Sequence, residues 1–244
     1  MTMVDYKTNK TKNVANWWQS PLGQAVLEQE KSALQSLSQH FHGYYQLQLG
    51  LNPSLLPALS QPNIQTVIAA QADIQACNEA LPIKCHSLDL VLLCHALDFS
   101  ADPHGLLREV DRTLVADGTV ILCCFNPWSL WGLKRLFSWQ DTAPWQGHFF
   151  TKTRIKDWLN LLGFDIIDCK PLLFRPPLTS AKWFKHCQFL ERWGRRLWPF
   201  WSGSRIVVAT KRTIPLTPIS KNWRSKQLFS GRSVASPVTR GTSP

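Results

Sequence analysis

An α/β protein built on a mostly parallel sheet with helices on both faces is what the sequence predicts, and three observations predict it. Strand-like apolar runs alternate with capped amphipathic helices from Ser20 to Thr210. Two of those runs, Leu88–Leu93 and Thr119–Phe125, are almost continuously apolar, as expected of strands covered on both sides. The chain of 244 residues is long enough to bury one full core without splitting into two domains.

The elements follow in order. Ser20-Pro21 opens a helix: serine accepts from free N–H groups of the first turn, and proline at the first helical position forfeits no hydrogen bond. Leu22, Val26, Leu34, Leu37 and Phe41 form its apolar stripe, which ends at His42-Gly43, where glycine permits a left-handed stop. Tyr45, Leu47 and Leu49 alternate with Tyr44, Gln46 and Gln48 in a strand ended by Gly50. Ile64–Ala70 and Asp73–Cys77 read as two short strands, and Leu88–Leu93 as a buried one. Asp102-Pro103 starts a helix with Leu106, Leu107, Val110 and Leu114 inward, and Asp117-Gly118 turns the chain into Thr119–Phe125. Thr153 is placed to cap a helix that turns Ile155, Trp158, Leu159 and Leu162 inward and stops at Gly163, before the strand Phe164–Cys169. Ser180 caps a helix running to about Leu197, and Arg205–Thr210 is the last strand. The expected organisation is a flexible N-terminus over 1–16, a folded domain over 17–213 with one helix ahead of its sheet, and a disordered basic tail over 214–244 that is rich in Pro, Ser and Thr and free of acid.

Charge is distributed unevenly. Residues 1–181 hold 14 Lys and Arg against 15 acids, whereas 182–244 hold 13 against the single Glu191. A field of that sign attracts phosphates, anionic lipid or an acidic partner. Twelve tryptophans cluster in the chain, among them Trp128 and Trp131 beside Lys134 and Arg135, and Trp183 to Trp201 among Lys185, Arg192, Arg195 and Arg196. That mixture suits a cover packed over the substrate crevice, or a peripheral membrane contact; no nucleic-acid-binding motif accompanies it, so nucleic acid is not the expected partner. The absence of an apolar run of about 18 residues excludes a helical membrane span. The first residues carry Lys7, Lys10 and Lys12 without an apolar core behind them, so a cytoplasmic location is expected. Seven cysteines without a C-x-x-C pair read as buried thiols in a reducing compartment, with neither disulfides nor metal.

Leu81-Pro82-Ile83, the run Ser87-Leu88-Asp89-Leu90-Val91-Leu92-Leu93-Cys94-His95-Ala96-Leu97, then Asp102-Pro103, Leu107-Arg108-Glu109-Val110, Arg112, Leu114, Gly118 and Ile121 stand in one order over about 45 residues. This stretch resembles the second half of the class I S-adenosylmethionine-dependent methyltransferases of the type 11 group. Phe125-Asn126-Pro127 and the ending Ala209-Thr210-Lys211-Arg212 are similar to a bacterial branch of that family, the YafS-like proteins. The resemblance implies a Rossmann-like methyltransferase sheet, S-adenosyl-L-methionine as the methyl donor, and a small-molecule or lipid-like acceptor. It places donor-binding positions at Gln48, Gly50, Asn52, Cys77, Leu81, Cys94 and His95. Gln48 stands where the family has an acid, Gly50 is the surviving glycine of the first turn, and Cys77 falls where an acid meets adenine. His95, at the carboxyl end of a central strand, is the candidate base, with packing beside the donor as its other reading. Asp98 and Asn126 lie just beyond strand ends and also face the crevice or serve the turns there, whereas Asp89 and Arg112 read as structural. The eroded glycine turn leaves a second expectation open: an inactive methyltransferase fold that docks to a membrane or acidic partner through its basic, Trp-rich part.

Overall fold

The computed structural model describes residues 13–50, 55, 64–68, 80–137, 143–177, 194, 196 and 198–212. The tail expected over 214–244, the strand expected at Asp73–Cys77, and most of the helix expected from Ser180 lie outside the described residues. Residues 13–18 are helical, and 13–16 of them belong to the segment expected to be flexible.

Six strands form one sheet: β1 (Tyr45–Leu49), β2 (Ile64–Ile68), β3 (Leu88–Cys94), β4 (Leu114–Phe125), β5 (Phe164–Leu172) and β6 (Ser204–Lys211). Their order is β2-β1-β3-β4-β6-β5. β1 runs parallel to β2 and β3, and β3 parallel to β4. β6 is antiparallel to both of its neighbours. The reversal has a simple cause: the chain leaving β5 does not cross back over the sheet. The Gly203 N–H donates to the Leu173 carbonyl at 2.8 Å, so residues 174–202 are an excursion whose two ends meet at the carboxyl end of β5. β6 can then run only in the opposite direction.

Each helix begins where its chemistry requires. In α1 (Pro21–Gln35) the Ser20 hydroxyl accepts from Gly23 N–H, and in α3 (Pro103–Thr113) the Asp102 carboxylate accepts from Gly105 N–H. A single turn, α2 (Ala96–Phe99), precedes α3, and α4 (Leu130–Phe137) follows β4. The expected cap of α5 (Lys152–Leu161) is displaced by two residues. Thr151, in extended backbone, accepts from Arg154 N–H, which leaves Thr153 already inside the first turn.

The sheet is covered on both faces. On one, α1 packs with Leu90, Leu92, Ile121, Cys123, Phe125, Ile206 and Val208. On the other, Leu47, Leu49, Val91, Leu93, Val120, Leu122 and Val207 meet the inward sides of α3 and α5. Asp89 and Arg112 are structural, as expected. Asp89 Oδ2 accepts from Tyr44 N–H and Tyr45 N–H and so fixes the entry to β1. Arg112 donates to Glu109 and to the carbonyls of Leu81 and Ile83, tying the segment before β3 to the last turn of α3.

Candidate active site

In an open α/β sheet, neighbouring strands whose connections leave in opposite directions leave a crevice at their carboxyl ends, and ligands bind there. Here β1 and β3 are that pair, since β1 leads outward to β2 while β3 leads to β4. Gly50 ends β1 at φ +106°, a conformation that residues with a Cβ rarely adopt. A Cβ at this position would lie 2.4 Å from the Cys94 carbonyl oxygen and 3.2 Å from the Ala96 side chain. The glycine therefore lets the ends of β1 and β3 approach backbone to backbone. Gln48, fully buried beside Leu92, accepts from Leu55 N–H through Oε1 at 2.7 Å and holds the chain that follows the turn. A side chain read from sequence as a donor contact thus spends this oxygen on shaping the loop.

The structure brings Gly50, Cys94 and His95 together, with Gln48 two residues before Gly50 in β1, and places Leu81 elsewhere. Leu81 donates its N–H to Glu109 and accepts from Arg112. These partners belong to the end of α3, where Arg112 and Thr113 carbonyls receive the N–H groups of His86 and Ser87 just ahead of β3. Leu81 therefore sits toward the amino ends of the strands. Asn52 and Cys77 lie outside the described residues.

At the head of β3, His95 adopts a left-handed backbone (φ +54°) and is almost wholly buried. Its Nδ1 lies 2.8 Å from Asp98 Oδ2, and its Nε2 lies 3.0 Å from Glu30 Oε1 on α1. Ser204, the first residue of β6, donates to the same Glu30 oxygen at 2.6 Å. Asp98 Oδ2 also accepts from the Phe125 N–H at 2.9 Å. Four elements of the fold thus meet at one ring. Burial alone pushes the imidazole toward neutrality, but the Glu30 carboxylate and the hydrogen bonds to Asp98 and Glu30 outweigh it and raise the pKa to about 10. At neutral pH His95 is a cation with both nitrogens engaged, which gives it no lone pair with which to take a proton. Burial also pushes the Asp98 carboxyl above its usual range, against the pull of His95. Asp98 is therefore not the solvated loop carboxylate that a position beyond a strand end suggests.

Aromatic rings close over this cluster. His95 lies 4.2 Å from the Phe125 ring and 5.2 Å from Trp18, centroid to centroid. Phe125 stacks on Trp131, which meets Trp145 at 5.6 Å. Trp18, Trp131 and Trp145 are thus packed in the core, whereas Trp128, Trp198 and Trp201 face solvent. Asn126, fully buried, donates to the carbonyls of Phe200 and Ser202 and joins the start of α4 to the end of the 174–202 excursion. A cavity of about 680 Å³ opens at the other end of the sheet, lined by Tyr44, Tyr45, Ile83, His86 and Asp89; none of the crevice residues reaches it.

Glu30 and Ser204 were not singled out from sequence. Glu30 had a readable signal, because it interrupts the buried stripe of α1 four residues after Val26 and four before Leu34. A lone acid on an apolar face needs a partner in the core. Ser204 offered no comparable sign.

Comparison with known proteins agrees with this geometry. A family model described as "Methyltransferase domain" matches residues 34–122. The uncharacterised protein YafS of Escherichia coli is 32% identical over 210 residues, covering 82% of each chain. A malonyl-[acyl-carrier protein] O-methyltransferase of Laribacter hongkongensis is 32% identical over 123 residues, 48% of this chain and 41% of that one. A solved S-adenosylmethionine-dependent methyltransferase of Thermotoga maritima superimposes with a TM-score of 0.54 at 17% identity, covering 73% of this chain and 87% of that one; at this identity the likeness speaks for the fold.

Proposed function

Since this chain belongs to the class I S-adenosylmethionine-dependent methyltransferases of the type 11 group, we propose that it is an active methyltransferase with a small-molecule or lipid-like acceptor. The observation that carries the reading is the Gly50 turn, where the backbone of β1 meets that of β3 at the crevice without an intervening side chain. The donor of the family is S-adenosyl-L-methionine, and a turn bare of Cβ at this position fits it. When bound, the donor would supply an electrophilic methyl on a sulfonium, to which an in-line acceptor nucleophile bonds as the methyl–sulfur bond breaks and S-adenosylhomocysteine leaves.

The residues of the chain then serve alignment and exclusion of water. The Gly50 backbone and the Cys94–His95 end of β3 form the seat, and Gln48 keeps the following loop in place through Leu55. His95 acts by position. Clamped between Glu30 and Asp98, it fixes α1 against the ends of β3 and β6, and the Trp18 and Phe125 rings beside it exclude water. Glu30 and Asp98 are both engaged with its ring, so the donor is held through backbone and shape more than through a free acid. An acceptor that gives up its proton to solvent, or that attacks without losing one, needs no base from His95.

Isothermal titration with S-adenosylmethionine and S-adenosylhomocysteine tests the reading. Saturable binding of both is expected. The absence of heat and of any thermal shift at millimolar ligand would overturn it, and would leave an inactive binding module on the same fold.

A further inference from the structure

The exposed apolar side chains are concentrated at one place. Trp128 is 73% exposed, Leu136 78% and Phe200 80%, with Leu133, Trp198 and Trp201 each about half exposed or more. They come from two segments distant in sequence, α4 with its approach and the Pro199–Trp201 turn, which Asn126 holds side by side through the Phe200 and Ser202 carbonyls. The arrangement is built. The Asn126 side chain also accepts from Trp128 N–H, and the buried Trp131 between the exposed residues of α4 donates its indole N–H to the Arg175 carbonyl. Large apolar side chains kept in water at this density mark a contact surface.

Two features identify what the surface contacts. Aliphatic Leu133 and Leu136 are exposed together with the aromatic Trp128, Trp198, Phe200 and Trp201, the mixture that dissolves at the boundary of headgroups and acyl chains; stacking on nucleobases would use the rings and have no use for the leucines. The second feature is charge. Residues 126–137 contain Lys134 and Arg135 and no acid; both side chains are partly exposed, Lys134 donating to the Pro177 carbonyl and lying over Trp145 and Arg135 lying over Phe149, and Arg196 just ahead of the Pro199–Trp201 turn is exposed. Cations around an apolar patch complement an anionic lipid surface.

We infer that this patch docks the protein on anionic membrane, with Trp128, Leu133, Leu136, Phe200 and Trp201 entering the headgroup region and the neighbouring Lys and Arg side chains meeting lipid phosphates. Asn126 follows directly on the carboxyl end of β4, and Ser204 begins β6 at the same end, so the patch lies on the end of the sheet where the crevice opens. Resting on the methyltransferase reading, this placement makes the acceptor a molecule held at the membrane, a lipid or an amphiphile, that reaches the crevice without crossing bulk water.

Vesicle flotation of the full chain tests the inference. Vesicles of phosphatidylcholine with about a third phosphatidylglycerol are compared with pure phosphatidylcholine, at low salt and at about 0.5 M salt, where surface charge is screened within a few Å. The protein should float with the anionic vesicles and bind at least about tenfold more weakly to the neutral ones and at high salt. The double variant Trp128→Ser/Phe200→Ser should lose at least about tenfold in partitioning, with Tm and S-adenosylhomocysteine affinity unchanged; Leu133→Ser/Leu136→Ser provides a second variant on the same surface. Failure of the wild-type chain to float would overturn the inference. So would flotation unaffected by both variants, or a stable dimer in solution whose dissociation follows the patch substitutions. Because S-adenosylhomocysteine binding is measured separately, loss of docking is distinguishable from failure of the methyltransferase reading.

Discussion

His95 gives a test in which both sign and size follow from the structure. Its pKa rises from 6.5 to about 10 on folding, under the influence of Glu30 and Asp98. A group whose folded-state pKa is raised contributes its full stabilisation below the unfolded value and loses it as pH climbs to the folded one. The window is therefore pH 6.5 to about 10. One unit corresponds to about 1.4 kcal/mol, so the whole shift is worth about 5 kcal/mol, close to the ~3–5 kcal/mol that breaking a buried ion pair costs. Urea unfolding of the wild-type chain and of His95→Gln across this range provides the assay. The variant should be less stable by about 3–5 kcal/mol near pH 6.5, and the gap should narrow as pH rises toward 10, by up to about 1.4 kcal/mol per pH unit. Parallel stability profiles, with a gap independent of pH, would refute the assignment of His95 as a buried cation.

Other outcomes follow from single contacts. Gly50→Ala places a Cβ 2.4 Å from the Cys94 carbonyl at φ +106°; it should cost about 1–3 kcal/mol in strain and, by forcing β1 away from β3, weaken S-adenosylhomocysteine binding at least about tenfold in titration calorimetry. Asp102→Ala removes the acceptor for Gly105 N–H at the start of α3 and should lower stability by about 1 kcal/mol in urea unfolding without changing donor affinity. Trp131→Ala empties a fully buried indole site between Phe125 and Trp145 and should cost about 3–5 kcal/mol, read as a lowered Tm.

The legible parts of the fold were those fixed by local chemistry. The run Leu88–Cys94 is apolar because both of its faces are covered, and Ser20-Pro21 and Asp102-Pro103 announce helix starts through groups that act within one turn. Direction was harder to read. Strand and helix patterns look alike whether a strand enters from one end or the other, and the reversal of β6 depends on the meeting of Leu173 and Gly203, which no local pattern announces. In the site, Gly50 was readable because backbone conformation limits residue type, whereas the pairing of His95 with Glu30 joins residues 65 apart and Glu30 with Ser204 joins residues 174 apart. Composition counted the tryptophans but could not divide Trp131, fully buried, from Trp128, three residues earlier and largely in water.

The place of β6 bears on how the chain can be assembled. Although it comes late in sequence, it lies inside the sheet, and β5 reaches β4 only through it. During synthesis, β4 ends at Phe125 and must wait with an open hydrogen-bonding edge until Ser204 and the rest of β6 have been made, and Glu30 must wait for Ser204, 174 residues on. Contacts this distant in sequence close slowly, and an unpaired edge is the part of a nascent chain most exposed to misassociation. Cutting the gene within codons 204–211 would consequently leave β2-β1-β3-β4 with a bare edge on β4, and β5 with no strand to pair with.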